Sequence, residues 1–237
     1  GSKDVAFCAA ALLGQLAPGD GRAIAAVVAH LDDPRGHVRE AAAEALRRVA
    51  GRGDASLVAA LLPRLEGGEA ELRASAAGLL ARLAAPGDPR VVEELSVCLE
   101  DPSQLVRACS LQALAKICHR GDRQAIQAIS SRLDDCEEMV TRAAQHALLL
   151  VAERGDQCAL QALRAYFDDT HWRVREAALV AYVQLSGDER EIAKTARGFL
   201  EDPDERVREA ASMAISDREG LLELCQFRMR AFSGNSY

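Results

Sequence analysis

Residues 20–53 read DGRAIAAVVAHLDDPRGHVREAAAEALRRVAGRG, and this stretch decides the fold. Ile24, Val27, Val28 and Leu31 recur at helical spacing, and Asp32-Asp33-Pro34 then breaks the pattern. Val38, Ala41, Ala42, Ala45, Leu46 and Val49 lay a second apolar stripe at offsets of 3, 4, 7, 8 and 11. Gly-Asp pairs bracket the stretch and recur at Gly19-Asp20, Gly53-Asp54, Gly87-Asp88, Gly121-Asp122, Gly155-Asp156 and Gly187-Asp188. Four successive intervals are 34 residues and the last is 32. A fixed period of this size marks a solenoid built from one two-helix unit.

Each Asp precedes an apolar-periodic run, so its carboxylate is placed to accept from the first N–H groups of a helix. The Gly before it suits a left-handed residue closing the preceding helix. In register, first helices carry Ile24, Val58, Val92, Ile126, Leu160 and Ile192, followed by Leu31, Leu65, Leu99, Leu133, Phe167 and Leu200. Second helices carry Val38, Leu72, Val106, Val140, Val174 and Val207, with small residues such as Ala143-Ala144 and Ala177-Ala178 where a neighbour must approach closely. The spacing predicts an incomplete leading repeat over residues 1–19, six repeats over 20–217, and a capping helix and tail over 218–237. Gly1-Ser2 reads as a tag remnant, and a start in mid-helix leads us to expect a piece of a larger chain.

Composition narrows the classes. The formal charge of −7 gives no footprint for a polyanion, so no nucleic-acid partner is expected. Seven cysteines without a CxxC pair suggest neither a disulfide framework nor a zinc site, and point to a reducing, cytoplasmic or otherwise intracellular setting. No apolar run is long enough to span a bilayer, so no membrane partner is expected. None of the five histidines is followed by Glu, and no nucleophile–base pair, phosphate loop or clustered carboxylates stand out. No catalytic residue, metal or cofactor is therefore expected.

A second pattern runs through the turns. Asp33, Asp101, Asp169 and Asp202 are each followed six residues later by Arg39, Arg107, Arg175 and Arg208. Repeat two has Gly67 with Arg73 instead, and repeat four has Asp135 with Thr141. An Asp in the turn and an Arg early in the second helix can join adjacent repeats through charge-assisted hydrogen bonds, forming a ladder. Asp33-Pro34 with Val38-Arg39-Glu40-Ala41-Ala42, and Asp202-Pro203 with Val207-Arg208-Glu209-Ala210-Ala211, resemble HEAT repeats, most closely the short kind of phycobilin-lyase-like proteins. The resemblance covers roughly residues 5–231. It implies an all-α α-solenoid, a right-handed superhelix of two-helix repeats with first helices convex and second helices concave. Tetratricopeptide and ankyrin signatures are absent.

Four sets of residues are candidate sites. Arg52-Gly53-Asp54, Arg120-Gly121-Asp122 and Arg154-Gly155-Asp156 spell the tripeptide that integrins bind. Other junctions read Pro-Gly-Asp or Ser-Gly-Asp and the Asp is committed to capping, so the arginine is read as incidental. Trp172, the only tryptophan, is read as packing over its adjacent turn rather than as an anchor. The basic row Arg48, Arg82 and Lys116 is read as a solvated flank. On the second helices, Leu111, Arg142, Gln145, His146, Leu149, Leu179, Val180 and Val183 are the candidate partner-binding positions of the concave face. If they face a groove, the apolar members form an exposed patch of the sort that marks an interface. The expected function is a non-catalytic protein-interaction scaffold gripping a partner peptide or helix. The alternative implied by the resemblance is a phycobilin-lyase-like chromophore-handling enzyme or a module of a larger enzyme. The chain is expected to be monomeric, or weakly associated end to end through truncated faces.

Overall fold

The computed structural model describes residues 21–33, 35–49, 51–216 and 220–221. The expected leading half repeat, the Asp20 cap and all but residues 220–221 of the expected C-terminal capping helix and tail lie outside them. All regular structure among the described residues is helical. The chain divides into two compact units, Gly1–Cys118 and His119–Tyr237.

The first unit pairs α1 (Gly21–Val28) with α2 (Gly36–Val49), α3 (Ala55–Leu61) with α4 (Ala70–Leu83), and α5 (Pro89–Val97) with α6 (Gln104–Ile117). Each first helix tightens into a short 3-10 turn before the break: Ala29–Asp32, Leu62–Leu65 and Cys98–Glu100. The second unit pairs α7 (Arg123–Ser130) with α8 (Glu138–Val151), α9 (Gln157–Arg164) with α10 (Trp172–Leu185), and α11 (Glu189–Arg197) with α12 (Glu205–Ser216). In both units helices stack in kind: α1 on α3, α4 on α6, α7 on α9, and α8 on α10 on α12. Each hairpin thus shields its neighbour's apolar face, as the two stripes require.

Alanines make the stacking close. Ala76, Ala77, Ala144, Ala178 and Ala211 are buried at the second-helix crossings. Leu57, Leu80, Leu95, Leu114, Ile126 and Ile129 fill the space around them with almost no exposure. In the second unit, Phe167 packs edge-on against Tyr182 and Phe199, with centroids 5.4 and 5.1 Å apart.

The junctions work differently from a simple helix stop. The Asp side chains do cap: Asp54 accepts from the N–H of Ser56 and Leu57, Asp122 from Gln124 and Ala125, Asp156 from Cys158 and Ala159, and Asp188 from Arg190 and Glu191. The glycine, however, does not close the preceding helix. The residues after the helix ends, Ala84, Cys118 and Ala152, are extended, and the glycine comes three residues later. Gly53, Gly87, Gly121 and Gly155 hold φ of +84°, +69°, +79° and +81°. This turns their N–H groups onto the last carbonyls of the following repeat's second helix: Leu83 at 2.6 Å, Ile117 at 2.7 Å, Val151 at 2.8 Å and Leu185 at 2.7 Å. A carbonyl that helix geometry leaves orphaned is satisfied by the neighbouring repeat. Arg52 and Arg120 reach the same helix ends, donating to the carbonyls of Ala84 and Leu150, each at 3.2 Å. Those two arginines are therefore structural, not incidental.

Two register expectations shift. In the third repeat Val91 is the fully buried residue, and Val92 is half-buried. In the sixth, Phe199 is buried and Leu200 is 42% exposed. The shift in the sixth repeat comes from the short last junction: only Ser186 and Gly187 separate α10 from Asp188, where the preceding junction has Ala152 to Gly155. Counting from the capping aspartate, the inward position is the eleventh residue, which is Phe167 after Asp156 and Phe199 after Asp188.

Candidate functional site

The arginine six residues after each turn aspartate folds back on its own turn. Arg39 Nη1 donates to the Asp33 carbonyl at 3.0 Å, Arg107 to Asp101 at 2.9 Å, Arg175 to Asp169 at 2.6 Å and Arg208 to Asp202 at 2.6 Å. The free edge of the guanidinium then reaches the next repeat. Arg73 takes both carboxylate oxygens of Asp101 at 2.7 and 2.9 Å, and Arg175 takes both of Asp202 at 2.8 and 2.7 Å. These bidentate bonds hold the carboxyls of Asp101 and Asp202 below the usual carboxylate range. The ladder expected from the sequence exists, but its rungs run from one repeat's arginine to the next repeat's aspartate. The Asp33–Arg39, Asp101–Arg107, Asp169–Arg175 and Asp202–Arg208 pairs are the intra-repeat half of each rung. Where Gly67 replaces the aspartate, Arg39 comes only within 3.7 Å of the exposed Glu71. Where Thr141 replaces the arginine, its hydroxyl donates to the Asp135 carbonyl at 3.1 Å.

Beside the Thr141 joint lies a groove of about 530 Å3, crossing the N-terminal halves of α8, α10 and α12. Arg142 and Gln145 come from α8, Trp172 and Val180 from α10, and Arg206 and Glu209 from α12. Glu138 bridges two cations, contacting Arg142 one turn on and Arg173 of the next repeat at 3.5 Å. The Trp172 ring carries the Arg173 guanidinium at 5.4 Å and that of Arg206 at 4.7 Å from its centroid. Gln145, nearly buried, ties α8 to α10 by donating to the Ala177 carbonyl at 3.4 Å. The surface is thus an amphipathic trough with one large aromatic plane and paired charges along its rim.

The candidate concave-face residues fare unevenly. Arg142, Gln145 and Val180 line the groove, Val180 as its buried floor. Leu111 lies in the core of the first unit with no exposure, and Leu179 and Val183 are packed into the core beside α12. The expected exposed apolar patch is therefore not there. Leu179 and Val183 look outward on a helical wheel, yet α10 is flanked by α8 on one side and α12 on the other, which together bury a wider arc than one stripe. Leu149 is half-buried and His146 is exposed along one edge, with desolvation lowering its imidazole pKa; neither lines the groove. Trp172 packs against the core cluster of the second unit and also presents its ring to the groove. The contribution of Arg206 was not legible, because its partner lies one repeat away. The only forewarning was that Trp172 stands alone in the chain.

Burial raises the thiol pKa of Cys98 and Cys109, which leaves both poor nucleophiles. Among the described residues no group of three His, Cys, Asp or Glu side chains could hold a metal ion, and no helix is long and apolar enough to cross a membrane.

The family model described as HEAT repeats matches residues 58–149 and 144–216. The chain belongs to the HEAT-repeat family, as an all-α solenoid of two-helix repeats. Among solved structures it is similar to YibA of E. coli, at 20% identity over 93% of this chain and 78% of that one, with a TM-score of 0.55. An engineered protein matches at 18% identity over 83% and 98%, with a TM-score of 0.51. The complex of CpcE and CpcF of phycocyanin lyase from a Nostoc species matches at 24% identity over 81% and 75%, with a TM-score of 0.49. No curated protein sequence matches the chain.

Proposed function

We propose that this chain is a non-catalytic protein-interaction scaffold, and that a partner peptide binds the groove across α8, α10 and α12 rather than an apolar patch. One observation carries this reading: three successive second helices converge on a trough whose wall is Trp172 flanked by two guanidinium groups. Tryptophan and arginine are the residues that most often anchor protein interfaces, and here both sit in an open concavity. Fixed side-chain pairs such as Glu138 with Arg142 and Arg173 pre-order the rim, which lowers the entropy cost of docking.

The test is photocrosslinking from benzoylphenylalanine placed at Glu209, in the groove, or at Gln161, exposed on α9. Adducts in the source lysate are expected from position 209 alone. They should disappear in a Trp172→Ala background whose far-UV circular dichroism is unchanged. Equal labelling from both positions, or adducts that survive Trp172→Ala, would remove the groove from the account. The same reading expects no absorbance change when the protein is mixed with a linear tetrapyrrole; a shifted, protein-bound band would favour chromophore handling.

A further inference from the structure

In an intact joint each turn aspartate sits between two guanidinium groups. Asp101 gives its carboxylate to Arg73 and its carbonyl to Arg107. Asp202 gives its carboxylate to Arg175 and its carbonyl to Arg208. Asp169 has only the second of these: its carbonyl takes Arg175 at 2.6 Å. The residue that should supply the first guanidinium is Thr141, too short to do so. The Asp169 carboxylate accepts the His171 backbone N–H at 2.7 Å, as Asp101 and Asp202 accept those of Ser103 and Asp204, and has besides only the exposed His171 imidazole Nδ1 at 3.4 Å. Among the described residues, no arginine or lysine hydrogen-bonds that carboxylate.

The unfilled position adjoins the groove. Thr141, whose position it is, and His171, which contacts Asp169, both line the groove, while Asp169 itself lines the adjoining concavity with Arg175 and Asp202. The groove's own cations are engaged elsewhere: Arg142 and Arg173 contact Glu138, and Arg206 lies over Trp172. Its lining also carries Asp134, Glu176 and Glu209, so carboxylates outnumber arginines there. We infer that an arginine side chain of the bound peptide completes this rung, its guanidinium passing Thr141 to take both oxygens of Asp169. The inference rests on the groove being the peptide site. Two intact rungs in this same chain supply the geometry, including tolerance of the second guanidinium on the aspartate's carbonyl. Arginine is specified over lysine because the rung needs two parallel N–H donors, which the planar fork presents and an ammonium does not.

Fluorescence anisotropy with labelled, acetylated peptide pools tests this. One central position is fixed as Arg, Lys, citrulline or Leu, and the flanking positions are randomised. The wild-type protein is expected to bind the Arg pool roughly tenfold to a hundredfold more tightly than the citrulline pool, the range for charge-assisted hydrogen bonds. Asp169→Asn should erase that preference. Thr141→Arg should erase it as well, while raising the melting temperature, because the protein's own side chain then occupies the rung. Trp172→Ala should weaken every pool alike. Equal binding of Arg and citrulline pools by the wild type, or a preference that survives Thr141→Arg, overturns the inference. If pools still bind and respond to Trp172→Ala without an Arg preference, the rung fails and the groove stands. If no pool binds the wild type, both fall.

Discussion

Replacing Arg175 by Met tests the ladder where it is best formed. The side chains of Arg175 and Asp202 are only 10% and 6% exposed. Arg175 makes two bonds to the Asp202 carboxylate and two to the carbonyls of Asp169 and Thr170. Met keeps most of the apolar stem, so the change chiefly removes the charge and its hydrogen bonds. Breaking one side of a buried pair costs about 3–5 kcal/mol. Because Asp202 keeps the Asp204 N–H at 2.9 Å and the joint lies near the surface, we expect the low end, about 3 kcal/mol. Asp202→Asn should be costly too, and the double variant should cost less than the sum by about 2 kcal/mol. Urea unfolding followed by circular dichroism measures all three. Proton linkage adds an independent check. The Asp202 carboxyl is held low by Arg175, so its contribution is present above the ordinary carboxylate range and is lost as the pH falls through the lower native value. The gap between wild type and Arg175→Met should therefore be widest above about pH 4 and close as acid is added. A cost under about 1 kcal/mol, with coupling indistinguishable from zero, would refute the reasoning.

Two further outcomes follow from the junctions and the second joint. Gly53→Ala should destabilise by about 1–2 kcal/mol, since φ is +84° and the new Cβ would meet the Ala85 Cβ at 3.2 Å. Gly187→Ala, with no left-handed φ and nothing within 4 Å, should be neutral or slightly stabilising; equal melting shifts for the two would contradict this. Gly67→Asp places a carboxylate in the one turn that lacks it, with open space around the new Cβ. It should draw Arg39 away from Glu71 and raise stability by up to about 1 kcal/mol, read as a higher urea midpoint.

The repeat, its helices and its capping aspartates were legible because they rest on local rules: a 3.6-residue apolar period and a carboxylate one residue before a helix. The alternation of Asp and Arg at six-residue spacing showed which residues would pair. It did not show that each arginine divides itself between its own turn and the next repeat's aspartate, which needs the inter-repeat stacking. The exposed-patch expectation failed for the same reason. Leu179 and Val183 lie opposite the apolar stripe of a lone helix, but α10 has α8 on one side and α12 on the other. Charging Val183 would accordingly test the core rather than the interface.

Sequence alone settled what is repeated, how long each copy is, and which joints carry a defective pair, since Gly67 and Thr141 break a pattern visible in the letters. Tertiary structure alone decided that Gly N–H groups stitch one repeat to the next, and that Trp172 and Arg206 from adjacent repeats meet beside the Thr141 joint. The division follows from reach: helix periods and caps act within about four residues, whereas a groove is made by side chains roughly one whole repeat apart, brought together only by packing.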